Sequence, residues 1–136
     1  MKGKFKILFL LISIIMQLTA GAQQVKLLTS GTKTSIRGLS VVNDKVIWVS
    51  GSSGMVGRSL DSGNTWKWIT VKGFEKTEFR DIEAFDETSA IVMAIAEPAY
   101  MLRTNDGGEN WKVVFEDKSK GMFLDAMEFW NDESGI

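Results

Sequence analysis

Residues 59–66 read SLDSGNTW and residues 104–111 read TNDGGENW, and these two octapeptides decide the fold. They share the pattern Ser/Thr-x-Asp-x-Gly-x-Thr/Asn-Trp and lie 45 residues apart. At ordinary residue usage, such an octapeptide arises by chance about once in a million starting positions. Two copies in one chain therefore indicate an internal repeat, and a repeat of this length is a primary signal of architecture.

The sequences that flank the octapeptides also repeat. IRGL at 36–39 is matched by FRDI at 79–82, and IEAFDE at 82–87 is matched by MEFWND at 127–132. Each repeat contains four short runs rich in Val, Ile, Trp and Phe, separated by Gly, Asn and Asp, which is typical of strands. Four-stranded units of about 40–45 residues are typical of β-propeller blades. The chain is therefore predicted to be all-β, a β-propeller of four-stranded antiparallel blades, with about two and a fraction blades present.

Each octapeptide is predicted to form the hairpin turn between the third and fourth strands of its blade. The Asp side chain can accept backbone N–H groups, the Gly can adopt a positive φ, and the Trp can open the fourth strand and cover the turn. One carboxylate per turn is too few for a calcium cage, so no metal is expected. The predicted structural residues are Ser59, Asp61, Gly63, Thr65, Trp66, Thr104, Asp106, Gly108, Asn110 and Trp111.

The N-terminus has the features of a secretory signal peptide. Three lysines precede a ten-residue apolar run, and an Ala-Gly-Ala site follows it. The run is too short to cross about 30 Å of hydrocarbon, so no stable membrane span is expected after cleavage. We expect a secreted, periplasmic or otherwise extracytoplasmic protein. The predicted segments are a signal peptide at 1–22, an N-terminal segment at 23–35, blade 1 at 36–78, blade 2 at 79–123 and the start of a truncated blade 3 at 124–136.

The third unit is expected to be incomplete. Residues 124–136 repeat residues 79–91 in register, and this match ends early in a second strand. Propellers use about four to eight blades, so a parent chain of roughly 200–380 residues is expected. Expressed alone, two and a fraction blades would expose strand edges and an apolar face, which predicts aggregation or a loose, dye-binding state.

The octapeptides resemble Asp-boxes, also called BNR repeats, which occur in bacterial sialidases and many other secreted propellers. With its Arg-x-Leu/Ile strand openings, the chain from about residue 29 to 136 resembles the photosystem II stability/assembly factor-like branch of that group. Secreted members in non-photosynthetic bacteria are often labelled generically as oxidoreductases. The resemblance implies a propeller in which the Asp-box is a structural turn away from the active face.

Four charged residues are predicted to surround one mouth of the central channel. In a propeller, strand one lines the channel, and the loops after strands two and four share the face opposite the octapeptides. That geometry brings together Arg37, Arg80, Glu97 and Asp125. The cluster predicts a site for an anionic or glycan ligand, or for a protein partner. An ordinary solvated surface, or an Arg–Asp pair between blades, is the alternative interpretation.

Composition excludes several function classes. The 136 residues include no His and no Cys, which excludes a Ser-His-Asp triad, imidazole metal sites, thiol nucleophiles and disulfides. The formal net charge of -1 gives no general attraction to nucleic acid. The glycine-rich stretch at 51–57 lacks the spacing of a nucleotide-binding fingerprint. No cofactor is expected, and no residue pattern supports an oxidoreductase.

Two functions from different classes remain. The first is a non-catalytic secreted propeller that acts as a binding or assembly scaffold through the channel mouth. The second is a sialidase-like glycoside hydrolase, which needs clustered arginines, a Tyr nucleophile with a Glu partner, and an acid. The arginines available are Arg37, Arg58, Arg80 and Arg103, and Tyr100 is the only tyrosine. Because Tyr100 falls in a third strand, the sequence favours the scaffold over the enzyme.

Overall fold

The computed structural model describes residues 25–28, 31–95 and 97–136, and the predicted signal peptide lies outside these residues. Two four-stranded antiparallel sheets follow one another along the chain, with strand orders β1-β2-β3-β4 and β5-β6-β7-β8. The strands are β1 (Ile36–Val41), β2 (Ile47–Gly51), β3 (Met55–Ser59), β4 (Lys67–Thr70), β5 (Phe79–Ala84), β6 (Ala90–Ala94), β7 (Ala99–Thr104) and β8 (Lys112–Asp117). The predicted all-β architecture of four-stranded antiparallel units is confirmed.

The fourth strands begin one to two residues later than predicted, since the sequence places their starts at Thr65 and Asn110 or at the tryptophans that follow. They open at Lys67 and Lys112 rather than at the preceding tryptophans. The reason is local, because the backbone N–H groups of Thr65 and Asn110 donate to aspartate side chains inside the turns. Within the described part of the chain, no helix is long and apolar enough to cross a membrane.

The main core lies between the two sheets. The indole of Trp48 in β2 is fully buried there, and its Nε1 donates to the backbone oxygen of Asp86, 3.1 Å away in the second unit. The second sheet contributes mainly aliphatic side chains and one aromatic ring. The buried cluster includes Val46, Trp48, Val56, Val71, Phe79, Ile82, Ala84, Ala90, Val92, Ala94 and Leu102. This shared core fixes the two sheets against each other.

The face of the first sheet that points away from the second sheet is exposed, although the equivalent face of the second sheet is buried. Leu39 and Val41 in β1 are 63% and 61% exposed. Their counterparts in β5, Ile82 and Ala84, are buried beneath the first sheet. The exposed face forms a shallow apolar groove of about 410 Å³. Equivalent positions of the two repeats are therefore apolar in both sheets, although another sheet covers only those of β5.

Residues 124–136 pack against the far side of the second sheet. Met127 is buried beside Ile91 and Met93. Backbone hydrogen bonds of 2.9 and 2.8 Å join Glu128 and Ile136 in both directions. The segment therefore continues the repeat with a short antiparallel pairing. The predicted boundaries between segments remain predictions.

Candidate functional site

Each sheet has two ends, and the strand directions show which loops lie at each end. Because neighbouring strands are antiparallel, β1 and β5 begin at the end where β2 and β6 finish. The connection at 71–78 and the loop after β6 lie at this end. We call it the arginine end, defined by Arg37, Arg80, this connection and this loop. The octapeptides lie at the opposite end of both sheets.

Arg37 and Arg80 occupy the same irregularity in the two sheets. In the first sheet, Ile36 pairs with Gly51 and Gly38 pairs with Ser50, so Arg37 is the extra, bulged residue. An equivalent register shift between Phe79 and Asp81 makes Arg80 the bulged residue of β5. A β-bulge re-aims a side chain relative to the ladder and is often found beside binding sites. The two bulges give both arginines the same backbone setting.

Each arginine forms a partly exposed ion pair with a carboxylate. Arg80 Nη2 lies 2.7 Å from Asp125 Oδ1, so the structure brings together these two predicted site residues. Arg37 Nε lies 3.4 Å from Glu78 Oε2, a partner that the sequence analysis did not single out. The two arginine side chains are 38% and 37% exposed. Exposed pairs contribute little stability, so both guanidinium groups can exchange partners.

The fourth predicted residue takes a different position at the same end. Glu97 follows β6, and its Oε1 accepts a hydrogen bond from the backbone N–H of Gly121. It is not paired with either arginine. Glu97 therefore belongs to the rim of the arginine end rather than to the Arg80–Asp125 pair.

A groove of about 290 Å³ opens beside Glu97 at the arginine end. It runs between the connection at 71–78 and the start of β7. Two carboxylates, one lysine, one threonine, two apolar side chains and one phenol ring line it, and these are Glu78, Glu97, Lys76, Thr77, Ile95, Pro98 and Tyr100. The sequence analysis did not detect this groove, because it depends on how two loops approach each other.

Tyr100 lines this groove, although the sequence analysis treated it as a strand residue remote from the mouth. Its ring meets Phe74 edge-on, with centroids 5.3 Å apart. Desolvation raises the pKa of Tyr100, and Glu116 raises it further through a hydrogen bond and charge repulsion. A raised pKa disfavours the phenolate, which is the form that a tyrosine nucleophile needs.

Two of the arginines considered for a hydrolase bind backbone instead. Arg58 lies over the ring of Trp48 and donates through Nη1 to the backbone oxygen of Glu87. Arg103 repeats this contact one unit later, donating to the backbone oxygen of Asp132 at 2.6 Å. These contacts connect successive units, so the structure does not gather the four arginines at one substrate site.

A row of polar side chains follows the arginines along β1 and β5, the first strands of the two units. Ser40 Oγ donates to Glu83 Oε1 at 3.2 Å and accepts the backbone N–H of Ala84 at 3.0 Å. Desolvation raises the pKa of Glu83 against the opposing hydrogen bond from Ser40, and Glu128 and Asp81 add to the rise. The row thus joins the first two repeats by hydrogen bonds and brings the charge of Glu128 in the third repeat close to Glu83, an arrangement that the sequence alone does not predict.

At the opposite end, the first octapeptide is held by its aspartate. Asp61 Oδ1 accepts the Thr65 backbone N–H at 2.8 Å and the Ser59 hydroxyl at 2.9 Å, while Oδ2 accepts the Thr65 hydroxyl at 2.7 Å. Gly63 has a φ of 80° and donates its N–H to Ser59 Oγ. The half-buried Trp66 donates from Nε1 to the Gly63 oxygen at 3.0 Å. These bonds hold the turn from within, and Trp66 Nε1 also donates to the backbone oxygen of Leu28 at 2.8 Å.

The second octapeptide repeats the arrangement. Asp106 Oδ1 accepts the Asn110 backbone N–H and the Thr104 hydroxyl, both at 2.9 Å, and Oδ2 accepts the Asn110 side-chain amide at 2.8 Å. Gly108 has a φ of 88° and donates to Thr104 Oγ1 at 3.0 Å. Trp111 Nε1 donates to the Gly108 oxygen at 3.0 Å. No group of three or more acidic residues that could hold a metal occurs in the described ranges.

The second octapeptide should make stability depend on acid. Hydrogen bonds from the Asn110 backbone, the Asn110 side chain and Thr104 lower the pKa of Asp106 from 3.8 to about 2. A depressed folded-state pKa gives stability that is present above the unfolded pKa and is lost as the pH falls through the folded pKa. We expect the free energy of unfolding to fall between about pH 4 and pH 2. Urea titrations at several pH values measure it.

The matched control for this dependence is Asp106→Asn, which keeps a side-chain oxygen but removes the titrating group. The variant should lose part of the pH dependence in this window. The remainder should persist, since hydrogen bonds also lower the pKa of Asp61 and Asp86. An identical dependence of wild type and variant on pH would contradict the assignment.

Comparison with solved structures gives the fold an independent reference. A structure described as YCF48 bound to D1 peptide has a TM-score of 0.63 and 23% identity, over 76% of this chain and 34% of that chain. A structure of YCF48 from Cyanidioschyzon merolae has a TM-score of 0.58 and 23% identity, over 75% and 33%. The chain thus spans about a third of the length of these structures. No protein-family model and no curated protein matches it. The chain is therefore similar in fold to these YCF48 structures, and its two sheets have the fold of part of a β-propeller.

Proposed function

We propose that this chain is part of a secreted, non-catalytic propeller that binds an acidic segment of a protein partner at the arginine end. The observation that carries the proposal is the pair of equivalent β-bulges at Arg37 and Arg80. They set two partly exposed guanidinium groups at one end of adjacent sheets. The leader-like residues 1–22 support export, and the channel mouth is the face on which we expect binding.

The chemistry of the two arginines favours a carboxylate ligand. A guanidinium group presents several N–H donors in a planar fork that matches a carboxylate with two parallel hydrogen bonds. Glu78 and Asp125 already occupy part of this capacity through partly exposed pairs. A partner carboxylate can replace them at low cost, since such exposed pairs contribute only about 0–1 kcal/mol.

The nature of the partner follows from one comparison. A structure similar to this chain is described as bound to a D1 peptide, so a peptide is a ligand class that a propeller of this fold can take. For this chain we propose an extended peptide segment with acidic side chains. A glycan or another small anion is the alternative outcome of the test below.

The test is a selection of phage-displayed random 12-residue peptides on the monomer fraction of the purified chain, because isolated blades are expected to aggregate. We expect selected peptides to be rich in Asp and Glu. The double variant Arg37→Gln/Arg80→Gln should bind them about tenfold or more weakly, because two charge-assisted contacts are lost. Fluorescence polarisation with resynthesised peptides measures the affinity, which should fall as salt rises. The N-terminus of protein recovered from the exporting cell, expected at Gln23, checks export.

The matched control is Lys45→Gln/Lys112→Gln, which removes two positive charges at the octapeptide end. It should leave the peptide affinities within about twofold of wild type, since surface charges more than a Debye length away are screened. Equal losses of peptide affinity in both double variants would show that the effect arises from net charge alone. Acidic peptides that bind the arginine variant as tightly as wild type would overturn the proposal, and selective capture of sialylated glycans would redirect it.

A further inference from the structure

The groove at the arginine end has walls of three chemical kinds. Ile95 and Pro98 supply apolar surface, Tyr100 supplies an aromatic ring, and Glu78 and Glu97 supply two carboxylates. We propose that this groove receives a lysine or arginine side chain of the same partner segment that the two arginines bind. This inference rests on the proposed function and names a second recognition element of that partner.

Each kind of wall matches one part of a basic side chain. The methylene stem of lysine or arginine packs along apolar surface while its charged head stays at the polar rim. A cation near the face of an aromatic ring is attracted by the negative charge of the ring face. A carboxylate at the rim adds a charge-assisted hydrogen bond. An uncharged side chain would use only the apolar part of this lining, and an acidic one would meet repulsion from Glu78 and Glu97 as well as attraction to Lys76.

Glu78 connects the groove to the arginine site. Its carboxylate lines the groove and also lies 3.4 Å from Arg37 Nε. When a partner carboxylate binds Arg37, Glu78 loses its own counter-ion. A basic side chain of the partner, bound in the groove, then replaces Arg37 as the counter-ion of Glu78. The exchange leaves no unpaired charge, which is the condition under which buried or half-buried ion pairs avoid a large penalty. The partner should therefore carry an acidic residue and a basic residue close together.

Lys76 provides a control for which the proposal predicts the opposite change in peptide affinity. It is an exposed lysine that lines the same groove, so its positive charge repels a basic ligand. Removing this charge should strengthen binding of a lysine-bearing peptide. Removing the charge of Glu97 should weaken it. Opposite responses to two neighbouring surface substitutions cannot arise from a general loss of folding.

The experiment uses the tightest acidic peptide from the selection above. It is resynthesised with lysine, and separately with glutamine, at each position next to its acidic residues. At one or two positions the lysine peptide should bind about fivefold more tightly than the glutamine peptide. In Glu97→Gln this ratio should fall to about two or less, and in Lys76→Gln it should rise about twofold. Glu87→Gln, which removes one negative charge at the octapeptide end, should leave the ratio unchanged.

The outcomes separate the two proposals. Acidic peptides whose affinity is the same with lysine and glutamine at every position would overturn the groove inference and leave the arginine site standing. A preference for the lysine peptide that is unchanged in both Glu97→Gln and Lys76→Gln would also overturn it. A selection that yields no acidic peptide would overturn both proposals together.

Discussion

Replacing Trp48 by alanine is expected to lower the free energy of unfolding by about 3–5 kcal/mol, as is usual when a large core aromatic is truncated. The indole is fully buried between the sheets and donates from Nε1 to the Asp86 oxygen of the second unit at 3.1 Å. The Arg58 guanidinium lies 5.4 Å from the centroid of the indole ring. The substitution therefore leaves a cavity, an unpaired carbonyl and a cation without its ring.

Urea titration followed by far-ultraviolet circular dichroism measures this loss. The matched control is Trp130→Ala, since Trp130 is 68% exposed. Removal of an exposed side chain with no special role should change the free energy of unfolding by about 0.5 kcal/mol or less. Equal midpoints for wild type and Trp48→Ala would show that the inter-sheet core does not hold the units together.

Replacing Gly54 by alanine is expected to cost about 3 kcal/mol or more. Gly54 has a φ of 64°, and an added Cβ would lie 2.2 Å from the backbone oxygen of Phe74. Its N–H donates to the Thr77 oxygen at 2.7 Å, and its own oxygen accepts the Val71 N–H at 2.8 Å. A left-handed backbone costs a non-glycine residue roughly 1–2 kcal/mol, and a clash with backbone adds about 1–3 kcal/mol.

Gly73→Ala is the matched control for this substitution. Gly73 has a φ of 87°, but no atom lies within 4 Å of the Cβ that alanine would add. Its cost should therefore be limited to the conformational part, about 1 kcal/mol. Thermal denaturation of both variants gives the comparison. Similar losses at the two glycines would mean that the contact with Phe74 is readily relieved.

The sheets could be predicted because their signals are local and occur twice. Each octapeptide holds its own turn through bonds within eight residues, so its sequence is sufficient to place a hairpin. The opening of the fourth strands was predicted one to two residues early, because the carboxylates of Asp61 and Asp106 accept the backbone N–H groups of Thr65 and Asn110, which a ladder would otherwise use.

The candidate site could be predicted only in part. Arg37 and Arg80 were placed at one end by strand counting alone. Their bulges were not predicted, because a bulge depends on the register of pairing with β2 and β6. Glu97 was predicted at this end, but its hydrogen bond to Gly121 and the pairing of Glu78 with Arg37 were not, since both depend on loop conformations that carry no periodic signal. The spacing of 45 residues between Arg58 and Arg103 was a usable signal of their shared structural role.

The inter-unit hydrogen bonds have a consequence for how this chain loses structure. Ser40 bonds to Glu83, Trp48 bonds to Asp86, and Asp81 accepts the Met127 N–H at 3.0 Å, so each unit bonds to the unit that follows it. A chain whose units contact only their neighbours behaves as a one-dimensional array, in which stability is a sum of unit and nearest-neighbour terms. Opening should therefore spread along the sequence from unit to unit, and amide exchange should be slowest in β5 and β6, which have a neighbour on both sides.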